Sequence, residues 1–104
     1  MPVPPMMRSL LAEIVATLAA LVQVPSINPN YPSFDGVPAG EGTGESAAND
    51  VLRPVYQAAG CEIDLFEEVA GRANLVGVRR GAGGGQSLIL NGHVDTVAPG
   101  EPAK

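Results

Sequence analysis

The chain has 104 residues, enough for one small domain, and its 13 glycines and 10 prolines leave few residues to build a core. Its formal net charge is -5 and it has no cluster of Lys or Arg, which excludes nucleic acid and anionic membrane surfaces as expected partners. Cys61 is the single cysteine, which excludes an internal disulfide.

The first predicted element is an amphipathic helix over residues 7–22, which Pro25 ends because a proline disfavours helical geometry in the residue before it. Its apolar residues recur at three- and four-residue spacing: Leu11, Ile14, Val15, Leu18, Leu21 and Val22. The segment is shorter than the roughly 20 apolar residues of a membrane span, and its single Arg8 makes a poor signal peptide. We therefore expect no membrane contact and a cytoplasmic protein.

A long loop and a second helix are predicted next. Residues 26–44 have no periodicity, and long loops in compact domains are often functional. The second helix is predicted to begin near Ser46, which can cap it, and to end before Gly60. Pro54 lies inside this helix, where a proline costs about 3 kcal/mol or more. A kink at Pro54, or a helix start nearer Asp50, would relieve this cost.

Three strands are predicted after the second helix. Apolar and acidic residues alternate at 61–65, and Leu75, Val76 and Val78 indicate the next strand. The glycine-rich residues 81–86 lead to an apolar run at 87–91, which is typical of a strand buried on both faces. This glycine-rich segment lacks the Gly-Lys-Ser/Thr of a phosphate-binding loop, so a hairpin connection is favoured. Two helices followed by three strands predict an α/β fold with an incomplete sheet.

The only histidine, His93, follows the predicted buried strand, and Asp95 comes two residues later. In open α/β sheets functional residues gather beyond the carboxyl ends of strands, and side chains two apart on a strand project to one face. A carboxylate at this spacing can hold the second nitrogen of a metal-bound histidine. Taken alone, a His-x-Asp pair is more often structural, because a catalytic zinc needs three protein ligands.

The sequence Leu-Ile-Leu-Asn-Gly-His-Val-Asp-Thr-Val at residues 88–97 resembles the first metal motif of the zinc-dependent M20 metallopeptidases. This is the group of acetylornithine deacetylase, succinyl-diaminopimelate desuccinylase, aminoacylase and carboxypeptidase G. Residues 21–29 resemble the end of the family's first helix and its Pro-Ser-hydrophobic-Asn-Pro turn. Residues 44–60 resemble its second helix, and residues 72–77 its next strand. The elements come in the family's order over nearly the whole chain.

The resemblance implies a site that holds two zinc ions, with cobalt as an alternative metal. In it, His93 is a metal ligand, and Asp95 is the active-site carboxylate that orients His93 and tunes the metal. The family's other ligands and its general base are not among these residues. The resemblance therefore implies that residues 1–104 are the amino-terminal portion of a single catalytic domain. The rest of that domain and a dimerisation domain are absent, and the full-length protein is expected to form a homodimer.

Two functions from different classes follow. The first is a metal-dependent hydrolase, similar to acetylornithine deacetylase, that cleaves an amide bond of an N-acyl amino acid or small peptide. The 104-residue chain alone is then expected to be inactive, because one zinc ligand cannot hold the ion. The alternative is a non-catalytic small α/β interaction module, left by truncation, that pairs with another chain through the open edge of its sheet.

Overall fold

A computed structural model describes residues 2–29 and 44–97. These residues form a small mixed α/β fold. Its elements are, in chain order, helix α1 (Pro5–Val22), helix α2 (Gly44–Ala58), strand β1 (Glu62–Val69) and strand β2 (Arg72–Val78). The two strands pair in one antiparallel sheet. Most of the predicted loop at 26–44 lies outside the described residues.

Helix α1 confirms the first predicted helix, with Pro5 at its amino terminus, where a missing backbone N–H costs nothing. The apolar stripe of this helix is not covered by other elements, because no residue of α1 is buried in the described structure. Its large apolar side chains, such as Leu10, Ile14 and Val15, are about half exposed or more. By length and composition α1 could also cross a membrane, a test that signal sequences and core helices of soluble proteins pass as well.

Helix α2 begins at Gly44, two residues before the predicted start, and continues through Pro54. Ser46 therefore lies inside the helix, and its hydroxyl donates to the Gly71 carbonyl oxygen at 3.1 Å instead of capping. After the helix, Gly60 has a φ of 82°, the left-handed conformation that glycine adopts most readily. The predicted end of the helix is confirmed.

Strands β1 and β2 form a hairpin around Gly71, whose φ is 81°. The hairpin packs against α2, and the link includes a hydrogen bond from the Asn49 side-chain amide to the Ala73 carbonyl oxygen at 2.7 Å. The core is small: among the described residues the only buried apolar side chains are Ala48 and Ala73, which are 1% and 8% exposed.

The predicted third strand at residues 87–91 is not confirmed, since β1 and β2 are the strands of the described sheet. The expected burial of this run is wrong: Leu88, Ile89 and Leu90 are 82%, 86% and 87% exposed. An apolar run becomes a buried strand only when neighbouring elements supply hydrogen-bond partners and cover both its faces. In the described part of the chain, β1 and β2 instead pair with each other.

Candidate functional site

The candidate site forms where the turn after α1 lies beside residues 94–96. Ile27 and Thr96 form an isolated parallel bridge. In this bridge the Asn28 N–H donates to the Thr96 carbonyl oxygen at 2.8 Å, and the Thr96 N–H donates to the Ser26 carbonyl oxygen at 2.9 Å. The hydroxyl of Ser26, which is buried, also donates to the Val94 carbonyl oxygen at 2.7 Å. Three hydrogen bonds thus fix the backbone on either side of Asp95.

His93 and Asp95 are in direct contact at this junction. The imidazole Nδ1 of His93 lies 3.1 Å from Oδ1 of Asp95 and 3.0 Å from the Asp95 backbone oxygen. The second carboxylate oxygen, Oδ2, accepts a hydrogen bond from the side-chain amide of Asn28 at 2.9 Å. The His93 side chain is 83% exposed, while that of Asp95 is 24% exposed. A partly buried carboxylate therefore anchors an imidazole that projects into solvent.

This geometry determines which ring nitrogen of His93 carries the proton in the neutral imidazole. Both atoms near Nδ1 are oxygens that can only accept, provided that Asp95 is ionised. Nδ1 must then be the donor, and Nε2 carries the lone pair. A lone pair on an exposed Nε2 is what a metal ion or a proton donor can use.

Asp95 is held in its ionised form. The hydrogen bond from Asn28 is the main cause that lowers the pKa of the Asp95 carboxyl below its usual value, and the nearby His93 lowers it further. Partial desolvation of Asp95 opposes these effects and raises the pKa, but the net shift is downward. At neutral pH this carboxylate accepts hydrogen bonds on both oxygens.

A second polar pair, Glu45 and Arg72, connects α2 to β2. The Arg72 Nε lies 2.6 Å from one Glu45 carboxylate oxygen, and its terminal nitrogen donates to the other at 3.2 Å. Both side chains are mostly buried, and the hydrogen bond to Glu45 is the main cause that raises the pKa of Arg72. The negative charge of Asp95 acts in the same direction and is the smallest of the causes. Arg72 is therefore held as a fixed cation beside the site.

An open cavity of about 220 Å³ adjoins this pair. It is lined by Glu45, Glu68, Val69, Arg72 and Asn74. Glu45 already neutralises Arg72 through two hydrogen bonds, so the cavity does not offer an unpaired cation to an anionic ligand. The other side chains that line it, Glu68, Val69 and Asn74, add no positive charge.

The structure brings together the two residues that the sequence singled out, His93 and Asp95, although neither lies in a regular strand. Sequence reasoning missed the contribution of Ser26 and Asn28. They belong to the Pro-Ser-Ile-Asn-Pro turn, and this turn was the available signal. Nothing local in that turn indicates a partner 67 residues further along the chain.

The donor atoms at the site fit one ligand of a metal ion and its orienting carboxylate. His93 offers an exposed Nε2, and Asp95 binds the opposite nitrogen, which is the outer-shell arrangement common to metal-bound histidine. Within residues 2–29 and 44–97, no group of three or more His, Cys, Asp or Glu side chains could hold a metal ion. A catalytic zinc would need further ligands from elsewhere.

The chain is thus a small mixed α/β protein in which the exposed imidazole of His93 is hydrogen-bonded to the carboxylate of Asp95. Comparison with known proteins goes no further: no family model, no curated protein and no solved structure matches the chain.

Proposed function

We propose that this chain forms part of the catalytic domain of an M20-like zinc hydrolase that cleaves the amide bond of an N-acyl amino acid or small peptide. The observation that supports the proposal is the contact between His93 Nδ1 and Asp95 Oδ1 at 3.1 Å, with the imidazole otherwise exposed. A carboxylate on Nδ1 makes Nε2 a better ligand, because it fixes the tautomer and increases the basicity of the ring.

In this proposal His93 contributes one nitrogen to the metal site, and Asp95 holds the ring in position. When bound, zinc in such sites polarises the scissile carbonyl and lowers the pKa of a water molecule. Asp95 remains a carboxylate throughout, since its hydrogen bonds favour the ionised form. The general base and the remaining ligands come from residues outside this sequence.

The proposal also assigns a role to the exposed run at residues 87–91. In a complete catalytic domain this run becomes a strand of a larger sheet, which buries Leu88, Ile89 and Leu90 and places His93 at the strand's carboxyl end. Their exposure of 82–87% leaves a large apolar area for neighbouring strands to cover. A cytoplasmic homodimer is part of the same proposal.

The hydrolase proposal is tested on the complete gene product that contains residues 1–104. We expect it to bind zinc, to hydrolyse N-acyl amino acids and to lose activity when a chelator removes the metal. His93→Ala should reduce zinc content and abolish hydrolysis, and Asp95→Asn should reduce metal affinity or activity by about 10- to 100-fold. Glu13→Gln is the matched control, because Glu13 is an exposed carboxylate on α1 remote in sequence from the site.

Two results would overturn the hydrolase proposal. One is a gene product that hydrolyses no N-acyl amino acid or dipeptide with zinc or cobalt supplied. The other is a His93→Ala variant that keeps the zinc content and the rate of the Glu13→Gln control. The 104-residue chain should show no metal-dependent hydrolysis, because residues 2–29 and 44–97 contain no group of three or more metal-binding side chains. Activity in the purified chain would contradict this part of the proposal.

The second candidate function is a non-catalytic interaction module. The same exposed apolar run favours it, and each strand of the described two-stranded sheet has a free edge that can pair with another chain. Zinc titration and sedimentation of the purified chain distinguish the two candidates. A defined soluble complex without metal uptake favours the module, whereas an unstable, aggregating chain favours a portion of the enzyme.

A further inference from the structure

We infer that Asn28 is a positioning residue for His93: by holding the Asp95 carboxylate, it selects the tautomer of His93 that has its proton on Nδ1 and its lone pair on the outward-facing Nε2. The consequence for metal binding rests on the proposed function. The tautomer itself does not, since it depends only on contacts within this chain.

The Asp95 carboxylate is held on both of its oxygens. The Asn28 amide nitrogen lies 2.9 Å from Oδ2 of Asp95, and the His93 Nδ1 lies 3.1 Å from Oδ1. A carboxylate whose one oxygen is held by a hydrogen bond cannot rotate freely about the Cβ–Cγ bond. The hydrogen bond from Asn28 therefore keeps Oδ1 directed at His93.

The backbone of Asn28 is fixed at the same junction. Its N–H donates to the Thr96 carbonyl oxygen at 2.8 Å, so main chain and side chain of one residue hold two consecutive residues, Asp95 and Thr96. The turn that carries Asn28 is also fixed on its other side by Ser26. The Asn28 side chain thus extends to Asp95 from a backbone that is hydrogen-bonded on both sides. Its hydrogen bond to Asp95 therefore costs little further conformational entropy.

Most of the His93 side chain lies in solvent. Its ring is 83% exposed, so packing does little to orient it. In water a neutral histidine side chain favours the other tautomer, with the proton on Nε2. The two Asp95 oxygens near Nδ1 accept a hydrogen bond only from the tautomer with its proton on Nδ1, so they stabilise that tautomer. The hydrogen bond from Asn28 to Oδ2 determines how well Oδ1 is aligned with Nδ1.

A purely structural role for Asn28, as a tether between residues 26–28 and 94–96, makes a different prediction. Ser26 is the matched case, because its hydroxyl ties the same two segments at 2.7 Å but does not contact the Asp95 carboxylate. If Asn28 is only a tether, Ser26→Ala and Asn28→Ala should change the ratio of the His93 tautomers to the same extent. A positioning role predicts that only Asn28→Ala changes the tautomer.

The test is long-range ¹H–¹⁵N correlation NMR of the 104-residue chain without metal, at a pH where the ring signals show a neutral imidazole. His93 is the only histidine, so all the ring signals belong to it, and couplings to the ring C–H protons distinguish Nδ1 from Nε2. We expect the proton mainly on Nδ1 in the unmodified chain. Asn28→Ala should reduce the ratio of the Nδ1–H to the Nε2–H form by roughly fivefold, as expected for loss of about one net hydrogen bond. Ser26→Ala should leave that ratio unchanged.

The backbone amide shift of Thr96 reports whether the bridge to Ile27 survives in each variant. If Asn28→Ala loses the bridge, the same ratio is measured in Asn28→Leu, which has a side chain of similar size, lacks the donor and adds no charge next to Asp95. An unchanged ratio in the Asn28 variant that keeps the bridge, or an equal change in Ser26→Ala, overturns the inference. Either result would contradict the role of Asn28 without contradicting the hydrolase proposal. Conversely, a gene product that binds no zinc would contradict the hydrolase proposal without changing the His93 tautomer. The two proposals can therefore fail independently.

Discussion

At the scale of single residues, the ionisation of Asp95 should respond to its hydrogen-bond partner. Because Asn28 and His93 stabilise the carboxylate, we expect the Asp95 pKa to lie below the usual value for aspartate of about 3.9. A pKa lowered on folding means that stability is present above the unfolded pKa and is lost as the pH falls through the folded one. The contacts between residues 26–28 and 94–96 should therefore weaken only in acid, below about pH 4.

Carboxyl ¹³C NMR during an acid titration measures this pKa directly. Asn28→Ala should move the Asp95 midpoint upward, since it removes the largest of the effects that lower the pKa. Ser26→Ala serves as the control and should leave the midpoint in place, because its hydrogen bond goes to the Val94 carbonyl oxygen. Equal midpoints in the unmodified and Asn28→Ala chains would show that Asn28 does not act on the carboxylate.

Gly44 is the second residue with a specific prediction. A Cβ atom at this position would collide with the Pro25 carbonyl oxygen and would lie 2.7 Å from the Ser26 Cα, both of which are backbone atoms. The start of α2 therefore packs closely on the turn that carries Ser26 and Asn28. Gly44→Ala should lower the free energy of unfolding by about 1–3 kcal/mol, as overpacking does elsewhere.

Chemical denaturation of Gly44→Ala beside Gly81→Ala measures this cost. A Cβ at Gly81 would meet no atom within 4 Å, so the control isolates the close contact from the general effect of replacing glycine. Similar unfolding free energies for the two variants would mean that α2 does not pack on the turn. A selective loss in Gly44→Ala should also disturb the Thr96 amide signal.

The sequence predicted the His93 and Asp95 pair because a spacing of two residues is a local property of an extended chain. Their supports could not be predicted in the same way. Asn28 lies 67 residues from Asp95, and Glu45 lies 27 residues from Arg72. Such pairs depend on how α1, α2 and the hairpin pack, and one sequence carries no local signal of that packing.

At the scale of elements, Pro54 should limit the stability of α2. The helix continues through it, so the proline removes one backbone donor and crowds the preceding turn. Pro54→Ala should raise the free energy of unfolding by about 2 kcal/mol, because a gain of about 3 kcal/mol in the helix is reduced by up to about 1 kcal/mol of added chain entropy in the unfolded state.

Thermal unfolding followed by circular dichroism measures the effect of Pro54→Ala. Arg53→Ala is the control, since Arg53 is the exposed neighbour in the same helix and should change stability by no more than about 0.5 kcal/mol. If Pro54→Ala is no more stable than Arg53→Ala, then α2 already accommodates the proline without cost.

Both helices and both strands of the described structure were predictable because each has a local pattern. Helical spacing indicates α1, alternation indicates β1, and Gly60 marks the end of α2. The apolar run at 87–91 fails as a strand for a physical reason. Its pattern fits a strand covered on both faces, and that state depends on neighbouring strands rather than on the run itself.

At the scale of the whole molecule, the described chain buries little and exposes much. Two alanines make up its buried apolar core, while large apolar side chains on α1 and in the run at 87–91 face solvent. Exposed contiguous apolar surface favours association, and the apolar residues 88–90 lie outside the described sheet, where they can pair with the edge of another strand. We therefore expect the purified 104-residue chain to self-associate through residues 88–90.

Sedimentation velocity over a range of concentrations tests this expectation. Ile89→Lys places a charge in the centre of the run and should shift the chain toward the monomer. Gln86→Lys adds the same charge to an exposed neighbouring position and should leave the distribution unchanged. Leu10→Lys examines the exposed face of α1 in the same way. A shift toward monomer in Leu10→Lys but not in Ile89→Lys would assign the association to α1, and it would contradict the strand-like role of residues 88–90 that both candidate functions require.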